Sequence, residues 1–175
     1  IHLFCARARE TARLDLNMEY LKRILLEGYK TFKVLDLELG KTNVLIGANG
    51  SGKSNFVSFF KLLNFMMSGS LQEYVGRKGG SNNFLYYGKK NTTRFTACLD
   101  FETDTGINTY EFSLADAMDN RMIFPTETVT YSSFKLRKEG KRAPYPVKLD
   151  SGHKETALIT SAKTNRNSMK AKTCR

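Results

Sequence analysis

Apolar and polar residues alternate along a short stretch near the start of the chain. Within residues 34–39, three leucines alternate with Asp36 and Glu38, which predicts a strand with one apolar face. Residues 21–26 form an earlier apolar stretch, and the segment Tyr-Lys-Thr-Phe turns the chain between the two. The pattern therefore predicts a β-hairpin. A short β-branched run at residues 43–46 follows it and is typical of a buried strand.

The segment after residue 54 has the spacing of a helix. Its apolar positions recur at intervals of three and four residues, and neither Gly nor Pro interrupts it; they are Phe56, Phe59, Phe60, Leu63 and Met67. Beyond it the signal becomes weaker. Residues 71–75 are compatible with a helical turn, and residues 76–88 are rich in Gly and Asn, which predicts a long irregular loop.

A second region of strict alternation lies in the middle of the chain. Residues 95–101 and 110–114 each alternate apolar and polar positions, and Asp104-Thr105-Gly106 lies between them as a turn. A third strand is predicted at residues 127–134. The middle of the chain is therefore expected to be an antiparallel β unit.

Between the predicted strand and helix, residues 47–54 read Gly-Ala-Asn-Gly-Ser-Gly-Lys-Ser, the pattern of a phosphate-binding P-loop. Gly47, Gly50 and Gly52 are expected to let the backbone take positive-φ turns and approach a polyanion closely. Successive backbone N–H groups then form a concave nest of partial positive charge. Lys53 adds a charge for the β- and γ-phosphates, and the Ser54 hydroxyl is placed to ligate Mg²⁺.

The flanking elements decide between two interpretations of this motif. A Gly-rich turn that binds nothing would need neither a buried strand before it nor a helix after it. Both flanks have the required pattern, and a helix that begins near Lys53 would direct its N-terminal N–H groups at the same phosphates. The sequence therefore favours nucleotide binding.

Charge is distributed unevenly over the 175 residues, whose net charge is +11. Residues 18–134 are nearly neutral, with 13 basic and 12 acidic side chains, whereas residues 135–175 carry 12 basic and 3 acidic ones. A basic tail can bind nucleic acid through counterion release. It can equally be a solvated end, which we favour because few aromatic residues are interleaved with its charges.

Hydropathy and cysteine usage limit the cellular setting. The longest apolar stretch, at residues 56–67, is interrupted by polar residues and is shorter than the roughly 20 residues that span a bilayer. We therefore expect no membrane partner and a cytoplasmic location. Cys5, Cys98 and Cys174 are odd in number and widely spaced, which suits a reducing compartment. Neither Ser51 nor Cys98 has an adjacent base that would mark a nucleophile.

Other candidate sites are weaker. His2 and His153 are far apart and have no Cys at metal-ligand spacing, so we expect no zinc site. Asp100, Glu102 and Asp104 could form a carboxylate cluster. They are more simply explained as the exposed face of a strand and its turn.

A strand, a Gly-Tyr-Lys-Thr-Phe turn, a Leu-Asp-Leu-Glu-Leu strand and the run Asn-Val-Leu-Ile-Gly-Ala-Asn-Gly-Ser-Gly-Lys-Ser-Asn follow one another within residues 18–67. This order resembles the start of the SMC/RecF-like branch of ABC-type ATPases. Residues 71–88, 99–102 and 151–155 are more narrowly similar to bacterial predicted ATPases of the AAA_21 type, an AAA family of ATPases. The resemblance covers roughly residues 18–159.

The resemblance implies an α/β fold, namely a P-loop NTPase lobe of the ABC-ATPase type with an antiparallel β subdomain. It implies binding of ATP and Mg²⁺, and ATP hydrolysis between two heads of a homodimer. The implied P-loop set, with Lys53 as the catalytic residue and Ser54 as the metal ligand, is Gly47, Ala48, Asn49, Gly50, Ser51, Gly52, Lys53, Ser54 and Asn55. Lys30 matches a basic residue that lies near the phosphates in relatives, although a solvated turn lysine explains it equally well. DNA is a further candidate partner, because DNA repair, phage defence and toxin–antitoxin systems use such heads.

Several family motifs have no counterpart in this sequence. The chain has no Leu-Ser-Gly-Gly signature and no apolar run that ends in Asp-Glu, the Walker B pair. We therefore expect an incomplete lobe at residues 18–159, a non-native or disordered extension at residues 1–17, and a truncated or frameshifted basic tail at residues 160–175. Because phosphoryl transfer needs a Walker B Asp and a residue that orients water, we expect ATP binding but little hydrolysis by this chain alone.

The three alternatives to this function are another class of P-loop enzyme, a non-catalytic module and a non-functional fragment. A GTPase needs Asn-Lys-x-Asp, which the chain lacks, and small-molecule kinases usually lack the leading hairpin and the antiparallel insert. A non-catalytic module that binds nucleic acid through its basic C-terminal tail is the main alternative, and binding that falls steeply with salt would indicate it. The third is a non-functional fragment whose exposed edge strands and apolar helix faces cause aggregation.

Overall fold

A computed structural model describes residues 4–7, 20–138, 140, 146–149 and 151–159. The strands are β1 (Phe4–Arg7), β2 (Tyr20–Tyr29), β3 (Phe32–Glu38), β4 (Asn43–Ile46), β5 (Arg94–Glu102), β6 (Gly106–Asp116), β7 (Met122–Ser133) and β8 (Val147–Lys148). The helices are α1 (Lys53–Met67), α2 (Leu71–Arg77) and α3 (Phe134–Lys138), and short 3₁₀ turns occur at Ser81–Phe84 and Met118–Asn120. The predicted tail at residues 160–175 lies outside the described residues.

Six strands form one antiparallel sheet in the order β3-β2-β5-β6-β7-β8. The alternation in the sequence sets the register, because it brings apolar side chains opposite one another, as in the pairs Ile24–Leu99 and Leu26–Ala97. Both predicted hairpins are confirmed: β2 pairs with β3, and β5 pairs with β6. The α/β class and the antiparallel unit are thus as expected. The ABC-type lobe remains a prediction.

A second, two-stranded sheet pairs β1 with β4 in antiparallel register. Residues 1–17 show no clear strand alternation, yet Phe4–Arg7 forms a strand, which the sequence analysis missed. The expectation that residues 43–46 are buried is also wrong, since Val44 is 52% and Ile46 is 61% exposed. The physical reason is that, within the described residues, β4 pairs with β1 and not with the six-stranded sheet.

Helix α1 buries one stripe of its surface against the sheet. The buried positions are Phe56, Phe59, Leu62 and Met66, whereas the predicted stripe included Phe60 and Met67, which are 38% and 51% exposed. The buried face is thus rotated from the predicted one. Tyr29 of β2 fixes the helix on the sheet, because its ring meets Phe59 edge-on at 5.5 Å and its hydroxyl lies 3.0 Å from Ser58 Oγ.

Helix α2 is longer than the predicted helical turn and is held by a distant part of the chain. The carboxylate of Glu155 accepts hydrogen bonds from the N–H groups of Leu71, at 2.9 Å, and Gln72, at 3.1 Å. It thereby caps two of the free donors at the start of α2. The Gln72 side chain in turn bonds the backbone of Met122 and Lys154, so residues 151–159 are fastened between α2 and β7.

Candidate functional site

The loop at residues 47–54 lies between β4 and α1, as the motif requires. Strand β4 ends at Ile46 and α1 begins at Lys53. Gly50 and Gly52 have φ angles of 82° and 93°, which side chains on L-residues disfavour. Residues 47–50 are exposed, so the backbone of the loop is open to a ligand from solvent.

Gly47 is required for a reason that the sequence analysis did not give. Its φ is not positive, contrary to expectation. A Cβ at this position would lie 2.6 Å from Ser51 Oγ and 3.2 Å from Ser51 Cβ. The glycine therefore permits the loop to fold closely upon itself, where Ser51 N–H donates to Ala48 O at 3.2 Å.

The turn between β2 and β3 packs against the end of the loop. Gly52 is buried, and a Cβ there would lie 2.9 Å from Cε1 of the buried Phe32 ring. One residue before that ring, the Thr31 hydroxyl accepts a hydrogen bond from the Asn55 amide at 3.0 Å. The hairpin therefore holds both the last glycine of the loop and the first turn of α1.

The Lys53 side chain bends back across the loop. Its ammonium group donates to the carbonyl oxygens of Gly47, at 2.5 Å, and Ala48, at 2.7 Å, and lies 3.4 Å from Ser51 Oγ. An ammonium group has three donors and no acceptor. Lys53 thus places a full positive charge at the concave side of the exposed loop, where an anion would meet it.

The N-terminus of α1 adds further donors at the same place. Gly52 occupies the N-cap, it makes no side-chain cap, and no acidic residue lies in the first turn. The first N–H groups of a 15-residue helix are therefore without a side-chain partner, and the helix dipole favours a negative charge there. Ser54, at the second helical position, is exposed, and its hydroxyl is an oxygen ligand of the kind that Mg²⁺ takes. The residues present fit a phosphate group with a bound divalent cation.

Lys30 lies next to this site in the β2–β3 turn, but its ammonium group contacts aromatic rings. Its Nζ lies 5.6 Å from the centroid of the Tyr29 ring and 5.5 Å from that of Phe84. Burial, together with the nearby charge of Lys78, lowers the pKa of Lys30. The solvated turn lysine weighed above is therefore not what is seen, and contact with phosphates remains a prediction.

The remaining candidates from the sequence are cross-strand partners. Asp100 accepts a hydrogen bond from Thr109 Oγ1 at 2.6 Å, and Glu102 pairs with Lys22. Burial raises the pKa of the Cys98 thiol to about 11, with the carboxylates of Asp100 and Glu111 adding to the effect. A thiol with so high a pKa is a poor nucleophile at neutral pH.

The sequence analysis missed a buried polar cluster around Glu127, which is 1% exposed. Its carboxylate accepts hydrogen bonds from Tyr110 Oη at 2.6 Å, from Ala157 N at 3.0 Å and from the Thr156 hydroxyl, and it lies 2.7 Å from His153 Nε2. Burial alone would raise the pKa of Glu127, but these hydrogen bonds outweigh it and lower the pKa.

A register shift explains why the alternation concealed Glu127. Met122 and Phe124 are buried, and strict alternation would then place residue 127 on the exposed face. The pairing of β6 with β7 shifts between Ser113 and Ala115, where a bulge changes which face the following residues occupy. Pro125, which lies in this stretch, is the one sign of irregularity that the sequence gives.

Comparison with known proteins gives one family and several partial relatives. Residues 42–162 match the sequence profile of the AAA_21 family, described as "AAA domain, putative AbiEii toxin, Type IV TA system". Over 52 residues the chain is 42% identical to structural maintenance of chromosomes protein 3 of Saccharomyces cerevisiae. The aligned region covers 28% of this chain and 4% of that protein. The chain is 39% identical over 62 residues to the chromosome segregation protein sudA of Emericella nidulans, covering 34% of this chain and 5% of that protein.

These relatives are much longer than the chain, which spans only 4% and 5% of their lengths. No solved structure matches the chain. Among the described helices, none combines the length and the apolar character needed to cross a bilayer.

Proposed function

The chain belongs to the AAA_21 family of AAA domains, and from this premise we propose that it binds ATP with Mg²⁺ at residues 47–55. The observation that supports this most directly is the position of the Lys53 ammonium group. It lies across an exposed, glycine-built loop, and its present partners are two carbonyl oxygens of that loop. A phosphate oxygen is a stronger partner for an ammonium group than a carbonyl, because the hydrogen bond is then assisted by charge on both sides.

Each residue of the loop has a defined role in binding the phosphates. The backbone N–H groups of Gly47, Ala48, Asn49, Gly50 and Gly52 would surround the phosphates, while the Ser51 N–H, which donates to Ala48 O, would hold the loop closed. Lys53 would neutralise the β- and γ-phosphates, and Ser54 would supply one oxygen ligand to Mg²⁺. A bound Mg²⁺ supplies charge neutralisation for the phosphates. Asn55 acts on the loop from outside, because its amide is engaged with Thr31.

Hydrolysis of ATP requires residues in addition to those that bind it. The 175 residues contain no apolar run that ends in Asp-Glu and no Leu-Ser-Gly-Gly. We propose that this chain alone binds ATP and hydrolyses it slowly, because it lacks a Walker B Asp and a residue that orients the attacking water. Within the whole protein we propose an ATPase that works as a head-to-head homodimer.

The biological role of the whole protein is a separate proposal, based on the names of the matched family and relatives. The names of the two partial relatives refer to chromosomes, and that of the matched family to a toxin–antitoxin system. We propose that the ATP cycle of the whole protein serves DNA repair or defence, with DNA as a partner. The alternative, a non-catalytic nucleic-acid-binding fragment that uses the basic tail at residues 135–175, stays a prediction, and residues 160–175 of that tail lie outside the described residues.

Equilibrium binding of a fluorescent ATP analogue in the presence of Mg²⁺ tests the proposal. We expect saturable binding that Lys53→Ala weakens strongly and that Lys61→Ala leaves unchanged. Lys61 is the matched control because it is an exposed lysine two turns further along α1. Equal binding by the native chain and Lys53→Ala would refute the proposal. Excess unlabelled GTP that displaced the analogue better than ATP would refute the choice of base.

A further inference from the structure

A basic surface segment begins at the end of α2 and contributes no residue to the proposed nucleotide site. Residues 76–94 contain five basic side chains and no acidic one; the basic residues are Arg77, Lys78, Lys89, Lys90 and Arg94. The net charge of residues 18–134 is nearly zero and does not reveal this local excess of basic residues. The segment also contains two adjacent tyrosines, Tyr86 and Tyr87. Basic residues interleaved with aromatic ones are the composition of surfaces that bind single-stranded nucleic acid.

The two tyrosines lie in a short loop, residues 85–91, that many hydrogen bonds fix in place. We name it the Tyr87 loop. Tyr86 N–H donates to Gly28 O at 2.8 Å, and the Thr92 hydroxyl donates to Tyr86 O at 2.9 Å. The Asn91 amide donates to Tyr87 O at 2.8 Å. The loop is therefore rigid although it lies at the surface.

Tyr87 is held outward by this loop. Its side chain is 72% exposed, and its φ of 50° puts a bulky residue in the left-handed region. Such a conformation is unfavourable for a bulky residue and persists only where the surroundings impose it. Its ring meets that of Tyr86 edge-on, with centroids 4.6 Å apart, so the side chain is supported on one side and open on the other. The burial of apolar surface does not explain this arrangement.

The charges around the loop favour an anionic partner. Lys90 and Arg94 are exposed, and the ammonium group of Lys78 lies 5.8 Å from the centroid of the Tyr74 ring. Lys89 is partly engaged, since its Nζ lies 3.9 Å from the Asp116 carboxylate and donates to Asn120 Oδ1 at 3.2 Å. Arg77 is paired with Glu73. Lys78, Lys90 and Arg94 therefore remain as the exposed cations of a segment in which Tyr87 is the exposed aromatic residue.

We propose that the Tyr87 loop and its flanking basic residues bind single-stranded nucleic acid. A base stacks on the open face of the Tyr87 ring, and the adjoining phosphates lie near Lys90 and Arg94. A single strand fits better than a duplex, because a lone protruding ring requires an unstacked base. A protein partner fits less well, because protein interfaces are depleted in lysine at their centres. DNA and RNA share this chemistry, so the experiment must separate them.

Fluorescence anisotropy in the absence of ATP tests the proposal. The labelled probes are 15-mers of oligo(dT) and oligo(U) and a DNA duplex of equal length. The key variant is Tyr87→Asn, because asparagine tolerates positive φ and the loop keeps its shape while the ring is lost. We expect it to weaken single-strand binding by about 5- to 140-fold, the range for one stacked base. Tyr87→Phe keeps the ring face and should bind like the native chain.

Controls distinguish stacking from a general loss of structure. Tyr131 is another exposed tyrosine, 44% exposed on β7, and Tyr131→Asn should leave oligonucleotide binding unchanged. Lys90→Gln should reduce the slope of log affinity against log salt by about 0.7, the value for one phosphate contact on a single strand. Lys53→Ala should bind the oligonucleotides normally, and Tyr87→Asn should bind the ATP analogue normally, so this proposal and the nucleotide site fail separately.

Three results would overturn the inference. They are failure of the native chain to bind either 15-mer, binding of both 15-mers by Tyr87→Asn as tight as by the native chain, and tighter binding of the duplex that does not depend on Tyr87. Binding of oligo(dT) alone, oligo(U) alone or both supports the proposal and identifies the sugar that the surface accepts.

Discussion

The side-chain amide of Asn55 donates to the hydroxyl of Thr31 at 3.0 Å and joins the first turn of α1 to the β2–β3 turn. Residue 55 follows the P-loop motif directly, and the bond gives it a structural role there. The same turn extends to the Tyr87 loop, because Tyr87 N–H donates to Lys30 O at 3.4 Å. Adjacent residues of one turn thus contact both proposed binding sites.

Removing this bond should loosen the P-loop. We expect Asn55→Ala to lower the free energy of unfolding by about 0.5–1.5 kcal/mol, the net value of one hydrogen bond. It should also weaken binding of the ATP analogue. Urea unfolding of Asn55→Ala, Thr31→Val and the double variant measures the coupling. Strictly additive effects of the two changes would contradict the role that we assign to this bond.

Gly52 should tolerate a side chain less well than Gly50. Both have positive φ, so Gly→Ala strains the backbone at either position. At Gly52 the new Cβ would also lie 2.9 Å from the Phe32 ring, whereas at Gly50 no atom lies within 4 Å. We expect Gly52→Ala to cost about 1–3 kcal/mol more than Gly50→Ala, the usual penalty for overpacking. Thermal unfolding compares the two variants, and equal melting temperatures would show that Phe32 moves away freely.

Glu127 should make stability depend on pH in the acid range. Its pKa is lowered in the folded chain, so its ionised form stabilises the fold above the ordinary carboxyl pKa. That contribution is lost as the pH falls through the lowered, folded value. We expect Glu127→Gln to reduce stability at neutral pH by about 1–3 kcal/mol and to flatten the acid limb of the stability curve. Urea unfolding between neutral and acid pH measures both effects. Glu111→Gln, an exposed change on β6, should leave the curve unaltered.

Cys98 should react slowly with alkylating agents while the chain is folded. With a pKa of about 11, roughly one thiol in a thousand is ionised at pH 8, and the thiolate is the reactive form. Iodoacetamide labelling followed by peptide mass spectrometry gives the rate at Cys98, in a background with Cys5→Ser and Cys174→Ser. Adding urea should raise that rate sharply. Rapid labelling of the folded chain would show that the thiol is neither buried nor shifted.

Much of the fold follows from short-range pattern. The strict alternation near Leu35 and Leu99 predicted strands and hairpins correctly, because each pattern concerns neighbours in one strand. The loop at residues 47–54 lies between the predicted strand and helix for the same reason. The roles of individual residues followed less well: Gly47 serves close packing against Ser51, and Lys30 faces rings.

What the sequence concealed depends on contacts between distant residues. The exposure of Ile46 follows from which sheet β4 joins, and a local pattern cannot determine that. The burial of Glu127 depends on a bulge and on partners 17 to 30 residues away. Likewise, Glu155 caps a helix that begins 84 residues before it. Composition gave the segment 76–94 its charge, but only the loop geometry showed that Tyr87 is held outward.

The cluster around Glu127 also constrains how the chain can be made on the ribosome. The carboxylate lies on β7, but three of its four partners belong to residues 153–157, which are synthesised later. Until those residues emerge, the carboxylate has only the Tyr110 hydroxyl of its four partners. We therefore expect this cluster to form only after residues 153–157 have been synthesised, because a buried carboxylate is stable only when its hydrogen-bond partners are in place. A nascent chain arrested before them would expose the interior of its sheet to chaperones and to other nascent chains.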